Sequence, residues 1–271
     1  MELVNTHAHT GLCGHGEGTV DELVRAARAA GISTLAVTEH YPLTPAFDPL
    51  AYLSMPKESI GRYLQELEDA RAAYPDIEIV FGTELDWLGD YEDRALSAED
   101  FAPFACVLGS VHFVDAWAFD DPAQRDRWDE PGAADVIWRR YFETWCDAAA
   151  SDAPFTVMAH PDLAKKFGYY PSYDLVPLYR QAAEAARAGG RMVEVNTSGS
   201  YYACKEMFPA PALLVEFRRA GVPCTVGTDA HVPANVARDI AAAYRLMAQA
   251  GYETVTVPTH DGDRRSITID V

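Results

Sequence analysis

The sequence lacks a membrane-length apolar run, a low-complexity segment and a proline-rich linker, and each absence narrows what the chain can be. Without about 20 consecutive apolar residues there is no membrane-spanning helix to place. Without a break in composition there is no reason to divide the chain, and 49% hydrophobic residues over 271 positions suffice for one sizeable core. One domain over 1–271 is expected. The start carries Glu2 and an early histidine cluster in place of a basic region and an apolar signal core, so a soluble, cytoplasmic protein is expected. The five cysteines are far apart with no CxxC pair, which argues against a zinc ribbon or dithiol redox motif and fits reduced thiols. Positive charge is scarce: 22 Lys and Arg face 41 Asp and Glu, a net charge of −19. Long polyanions bind through basic side chains that displace counterions, so a nucleic-acid partner is not expected. No Gly-rich nucleotide loop and no Gly-x-Ser-x-Gly elbow is present. Oligomeric state is not legible.

What is present is histidine in a particular arrangement. After apolar Leu3-Val4 comes Asn5-Thr6-His7-Ala8-His9-Thr10, then Gly11 to Gly16 carrying Cys13 and His15. Residues two apart on a strand point to the same side, so His7 and His9 can aim two imidazoles at one ion. His15, beyond the glycine-rich turn, can reach the same ion or a neighbour. Cys13 is read as a packing or turn residue.

The rest of the chain repeats that theme. Thr19 to Glu22 has a capping-box pattern and opens a helix ending at Gly31. Apolar Ile32 to Val37 ends in Thr38-Glu39-His40, and a proline-interrupted loop to Met55 precedes a helix over 57–73. Ile77 to Gly82 leads into Glu84, and Ala105 to Val111 ends in His112. A polar, aromatic insertion at 115–122 precedes a helix over 134–150. Phe155 to Met158 ends in His160, Met192 to Val195 ends in Asn196-Thr197-Ser198-Gly199, and Val222 to Val226 ends in Asp229 and His231. Helices are expected over 175–188, 211–220 and 234–250, with a peripheral hairpin near 252–271. Strict strand-helix alternation implies parallel strands with right-handed crossovers. Polar residues at every strand end favour a (β/α)7 barrel, which gathers those ends at one rim, over an open sheet, which spreads them along an edge.

The strand-end set is His7, His9, His15, His40, Glu84, His112, His160, Asp229 and His231, seven of the 8 histidines. Nine nitrogen and oxygen donors are too many for one ion, and imidazole with carboxylate suits zinc, iron or manganese. Two or three divalent ions are expected. Such a cluster attracts a phosphate dianion despite the acidic total, lowers the pKa of a shared water and faces both the attacking and leaving oxygens of an in-line displacement. Phosphoester hydrolysis is the chemistry it serves best.

These motifs resemble the polymerase-and-histidinol-phosphatase (PHP) superfamily: His7-Ala8-His9-Thr10 with Cys13-Gly14-His15-Gly16, Thr38-Glu39-His40, Gly82-Thr83-Glu84-Leu85-Asp86, Gly109-Ser110-Val111-His112-Phe113, His160, Asn196 to Gly199 and Thr228-Asp229-Ala230-His231. Within it the chain is similar to the histidinol-phosphate phosphatases, with Trp117 to Asp120 and Leu163 to Phe167 pointing to that branch. The resemblance implies a distorted barrel with its metal site at the C-terminal rim and three ions. One would take His7, His9, Glu84 and Asp229, a second Glu84, His112 and His160, and a third His15, His40 and His231. Glu84, Asp229 and His231 are then the catalytic candidates. Such phosphatases usually continue Asn-Thr-Ser-Gly with Leu-Arg-Lys, whose basic residues help hold the phosphate, whereas here Ser200-Tyr201-Tyr202-Ala203-Cys204-Lys205 follows. That departure bears on substrate identity, not on metal chemistry. Lys166, close behind the His160 strand end, is the first candidate for the missing charge, with Lys165 and Lys205 as alternatives and Asn196 and Ser198 as further substrate contacts. Acidic Asp115, Asp120 and Asp121 are candidates to meet a cationic substrate group. The expected activity is hydrolysis of L-histidinol phosphate in histidine biosynthesis. The alternatives are another small phosphoester such as a nucleotide, or a metal-binding module without catalysis, which the complete ligand set argues against. A PHP-type exonuclease is the least expected.

Overall fold

The computed structural model describes residues 2–89 and 96–271. Strand β1 (Leu3–Asn5) runs into the first histidine loop, and helix α1 (Val20–Ala29) begins where the Thr19 and Glu22 side chains each satisfy the other's backbone N–H. Strand β2 (Ile32–His40), helix α2 (Ile60–Ala73) and strand β3 (Glu78–Asp86) follow, then the short helix α3 (Ala98–Phe101) and strand β4 (Cys106–Ser110). The insertion after His112 is a small hairpin of β5 (Phe113–Val114) and β6 (Trp117–Ala118). Its two turn residues, Asp115 and Ala116, both have positive φ, the handedness that a two-residue hairpin turn requires. Helix α4 (Ala133–Ala150), strand β7 (Val157–Met158), helix α5 (Val176–Ala188), strand β8 (Met192–Asn196), helix α6 (Pro211–Arg219), strand β9 (Cys224–Gly227) and helix α7 (Ile240–Gln249) continue the alternation. The chain ends in the antiparallel hairpin β10 (Thr254–Pro258) and β11 (Arg264–Thr268).

Seven strands form one parallel sheet in the order β1-β2-β3-β4-β7-β8-β9. The two edges approach each other through backbone hydrogen bonds: Thr6 N–H donates to Val226 O (2.9 Å), Asp229 N–H to His7 O (2.9 Å) and His9 N–H to Ala230 O (2.8 Å). Asn5 reinforces this seam, donating from Nδ2 to Thr228 Oγ1 (2.7 Å) and accepting from Thr228 N–H (3.1 Å). The result is the nearly closed seven-stranded barrel that the alternation implied. Helices pack outside it. The longest, α4, sinks Trp138 and Trp145 completely, and truncating either to alanine removes about 3–5 kcal/mol of stability.

The pleat explains where the site sits. On β2, Ala36, Thr38 and His40 share a face, and on β3 Val80, Gly82 and Glu84 do the same. Ala36, Val80, Cys106, Leu108, Val157 and Met192 cluster into a dry plug inside the barrel, while alternate residues pack outward on the helices. Register then sets His40 beside Glu84 at the C-terminal end of that plug. At the opposite end, Arg265 of β11 reaches Glu2 (2.7 Å) and Thr34 (2.6 Å), so the final hairpin lies over the strand starts, away from the site.

Several boundaries differ from expectation. Strands β2 and β3 run through His40 and Glu84 instead of stopping before them, because neighbouring strands pair with those residues too. Helix α2 starts at Ile60 after a 3-10 turn at Lys57–Ser59. Helix α7 starts at Ile240, not 234: Pro233–Asn235 make a 3-10 turn and Asp239, at φ +60°, is left-handed, which breaks helical continuity. That irregular stretch faces the site.

Candidate metal centre and active site

All nine strand-end donors come to the C-terminal end of the barrel, and Glu84 is their hub. Its Oε2 lies 3.2 Å from His7 Nε2, 3.3 Å from His9 Nε2 and 3.1 Å from His40 Nδ1. Its Oε1 lies 3.0 Å from His160 Nε2 and 3.6 Å from His112 Nε2, and accepts Ser110 O–H at 2.5 Å. Asp229 Oδ1 stands 3.5 Å from His7 Nε2 and 3.4 Å from His9 Nε2. Ligand atoms in each of three sets lie within 4.8 Å of one another: His7, His9 and Glu84; Glu84, His112 and His160; and His7, His160 and Asp229. His40 groups with His9 and His231, and His15 pairs with His231.

Proton bookkeeping on the rings tests whether cations fit. A carbonyl only accepts, so His15 Nδ1 donates to Tyr52 O (3.0 Å) and His231 Nδ1 to Asp229 O (3.1 Å). In the neutral rings both Nε2 atoms then carry lone pairs, and these face each other at 3.0 Å. The inner pair differs: His7 Nδ1 meets Glu194 Oε1 at 2.9 Å and its Nε2 lies 3.0 Å from His9 Nε2. Although burial opposes charge there, the surrounding carboxylates raise both rings, so that pair calls for a cation of either kind, proton or metal. A proton is a poor answer for His231, because burial and the neighbouring His9 push it down to about 4. A shared divalent cation satisfies the facing lone pairs of His15 and His231 at once, so the donor set fits metal ions. The carboxylates point the same way. Burial opposes charge on Glu84 and Asp229, but the surrounding imidazoles hold both well below the ordinary carboxylate range. Burial likewise opposes protonation of His9 and His112, yet Asp229, Glu39 and Glu84 around the first and Asp86, Asp120 and Glu84 around the second raise each to about 10. The floor of the site calls for positive charge.

A second tier of carboxylates was not singled out from the sequence. Glu194 accepts His160 N–H (2.8 Å) as well as facing His7, Asp86 takes His112 Nδ1 at 2.7 Å, and Glu39 accepts Thr10 N–H (3.0 Å) while lying 3.5 Å from His9 Nδ1. The signal was available for Glu194: a charge inside the apolar run Met192-Val193-Glu194-Val195, on a strand buried on both faces, needs a partner. Gly227 follows from it, since a Cβ there would sit 1.7 Å from Glu194 Oε1. Cys13 is buried and donates to Thr10 O (3.4 Å), a packing role, although it lies near His15 and His231.

Above the floor opens a cavity of about 440 Å3. Its walls include Asp120, Asp121, Lys166, Ser198, Tyr202, Asn235 and Arg238 with His15, His40, His112, His160 and His231. Lys166 Nζ meets Asp120 Oδ2 at 2.9 Å within it. Ser198 Oγ donates to Asn196 Oδ1 (2.7 Å), and Asn196 lies beneath the wall with its Nδ2 on Glu194 (3.1 Å). The structure does not bring Lys165 or Lys205 to the cavity. Lys165 is fully buried, donating to Glu206 (2.7 Å) and Met207 O (2.8 Å), because the left-handed Asp162 and the 3-10 turn at Leu163–Lys165 swing it the other way. Lys205 is exposed in a left-handed turn. Asp115 pairs with Arg140 outside the cavity.

Comparison with known proteins agrees with this geometry. The PHP domain family matches residues 5–198. A protein of Deinococcus radiodurans named "Probable histidinol-phosphatase" is 32% identical over 256 residues, covering 94% of this chain and 96% of its own. A Schizosaccharomyces pombe protein of the same name is 24% identical over 86% of this chain and 82% of its own. Among solved structures, histidinol phosphate phosphatase from Lactococcus lactis, complexed with zinc, L-histidinol and phosphate, superposes with a TM-score of 0.80 at 21% identity, covering 97% of this chain and 99% of that one. The fold is shared along essentially the whole chain.

Proposed function

The chain belongs to the PHP domain family, and from that premise we propose that it is a metal-dependent phosphomonoesterase hydrolysing L-histidinol phosphate to L-histidinol and phosphate. The observation that carries the reading is the convergence of seven imidazoles and two carboxylates, Glu84 and Asp229, on the floor of one cavity large enough for a small ester. The 32% identical relative, matched over nearly its whole length, supports the substrate.

Three divalent ions, zinc, iron or manganese, would be held by His7, His9, Glu84 and Asp229; by Glu84, His112 and His160; and by His15, His40 and His231. Bound there, they supply a water of lowered pKa and positive charge opposite the phosphoryl oxygens. The chain does the rest. Glu84 and Asp229 neutralise and space the ions, and His231 completes the outer side. Glu194 and Asp86 fix the tautomers of His7 and His112 so that Nε2 faces inward. Lys166 adds a cation at the wall, and Asp120 and Asp121 offer carboxylates to a protonated amine or imidazolium on the leaving alcohol.

The test is phosphate release from L-histidinol phosphate beside nucleotides and sugar phosphates, after chelation and readdition of zinc or manganese. Selective turnover of histidinol phosphate is expected. A second reading, another small phosphoester, draws on Tyr202, which lines the cavity from the departing segment Ser200 to Lys205 and offers a ring to stack a base. Nucleotide turnover with histidinol phosphate ignored would select it.

A further inference from the structure

Among the described residues, and apart from histidines, two cationic side chains line the cavity, Lys166 and Arg238, and they are in different states. Lys166 is already engaged at 2.9 Å by Asp120. Arg238 makes no ion pair among the described residues, and its Nε is buried without a hydrogen-bond partner. An unmet buried donor on a cation is unfavourable unless an acceptor completes it. Arg238 is also one of the residues that line the cavity.

Arg238 is nonetheless held in place. Its N–H donates to Asn235 O (3.0 Å) in the turn before α7, and its carbonyl accepts Thr197 Oγ1 (2.8 Å), tying it to the end of β8. Its guanidinium lies 3.8 Å from the centroid of the Tyr201 ring. Tyr201 is oriented in turn, its O–H donating to Asp239 at 2.7 Å. A flat guanidinium stacked on a ring presents its edge N–H groups in a fixed fork, the geometry that takes two oxygens of a phosphate at once. Ser198, Asp229 and His231 share the cavity wall with it.

We propose that Arg238 is a substrate-binding residue that receives the phosphate dianion, with Tyr201 as the positioning residue that holds its guanidinium. This assignment rests on the phosphomonoesterase reading above. It gives the segment Ser200 to Lys205 a purpose: it contributes a ring that parks a cation borrowed from the start of α7. Lys166, neutralised by Asp120, then serves the leaving-group side of the cavity.

The probe is inorganic phosphate, titrated calorimetrically into metal-loaded protein and used as competitive inhibitor of para-nitrophenyl phosphate hydrolysis, with metal content and melting temperature measured in parallel. R238Q is expected to weaken phosphate about 10- to 100-fold, the range for losing a bidentate charge-assisted contact, with KM rising more than kcat falls. R238K should recover part of the loss. Y201A should weaken phosphate by a smaller factor while Y201F, which keeps the ring, stays near wild type. Unchanged phosphate affinity in R238Q at unchanged metal content overturns the assignment, and Y201A indistinguishable from wild type overturns the positioning role. If R238Q loses metal or melts early, R238K and Y201A decide. Wild-type protein that ignores L-histidinol phosphate but cleaves other esters sinks the proposed substrate alone, because the inorganic-phosphate readout does not use that substrate.

Discussion

The deep half of the site and its outer half hold their side chains by different means. In the deep half, strand-borne side chains brace the clustered donors: Glu194 on His7 at 2.9 Å and Asp86 on His112 at 2.7 Å, with Ser110 on Glu84. In the outer half, His15 and His231 lean on the main-chain carbonyls of Tyr52 and Asp229, and Arg238 leans on a ring. The deep half is nearly dry, with His7 and His9 fully buried, whereas the side chain of His231 keeps 27% of its exposure. Strands at fixed register can hold charged braces where the histidines need them, as Glu194 does under both His7 and His160. Loops supply donors and acceptors from the backbone, which do not change when side chains do. The deep half should therefore be sensitive to substitution and the outer half adjustable, which suits a fixed chemistry beneath a variable substrate.

The hardest blow to that contrast is Glu84→Gln. Glu84 touches His7, His9, His40, His112 and His160, and the amide puts a neutral group with two N–H donors where two carboxylate oxygens stood. Phosphatase activity should fall on the order of 1,000-fold or more, beyond the effect of any outer contact, while circular dichroism stays native. Metal analysis should find fewer ions per chain; full activity with a verified metal loss would sink the mechanism. Next comes Glu194→Gln, which keeps the volume beside Gly227 but removes the charge under His7 and one of the two oxygens that take His7, His160 and Asn196. Metal affinity should fall about 10- to 100-fold, the usual effect of losing a carboxylate that orients a ligand histidine. An affinity equal to wild type, measured by competition with a chelating dye, would mean that the deep carboxylates pack and do not brace.

The same division decides what could be read before any coordinates. His7 and His9 are two apart in the segment that runs on from β1, and such a spacing carries its own geometry, so the gathering of the nine donors was legible along with the seven-fold alternation. The tautomer braces were harder: Glu194 stands out as a charge inside an apolar run, but nothing local tells Glu39 or Asp86 from any other strand acid. Only burial on both faces makes them need a histidine. Lys165 and Lys166 show the limit of sequence spacing. They are neighbours of the same type, yet the left-handed Asp162 sends Lys165 to Glu206 and leaves Lys166 at Asp120. Arg238 was missed because the pattern from 234 onward reads as one helix, while Pro233 and the left-handed Asp239 delay α7 to Ile240 and turn Arg238 to the cavity.

Lys166 is where the comparison can be sharpened most finely, as the outer-half cation that, like the deep ligands, is braced by a carboxylate. Burial raises the Asp120 carboxyl, but Lys166 and then His112 outweigh it, so its folded value is lowered; burial lowers Lys166, but Asp120 outweighs it, so that value is raised. A lowered acid stabilises the fold fully above the ordinary aspartate value and loses that contribution as pH falls through the lowered one. A raised lysine contributes fully below the ordinary lysine value and loses its share as pH rises through the raised one. Between those limits the pair is constant. Asp120→Asn should therefore lower stability by about 1–3 kcal/mol, evenly across neutral pH, because it leaves a mostly buried ammonium without its counter-charge. The gap between variant and wild type should close only at the two extremes, at strongly acid pH where Asp120 takes up a proton and at strongly alkaline pH where Lys166 loses its own. Denaturant melts at several pH values read this directly. A gap that opens or closes near neutrality would assign the dependence to the histidine floor and not to this pair, and would erase the distinction between a braced rim cation and the free one at Arg238.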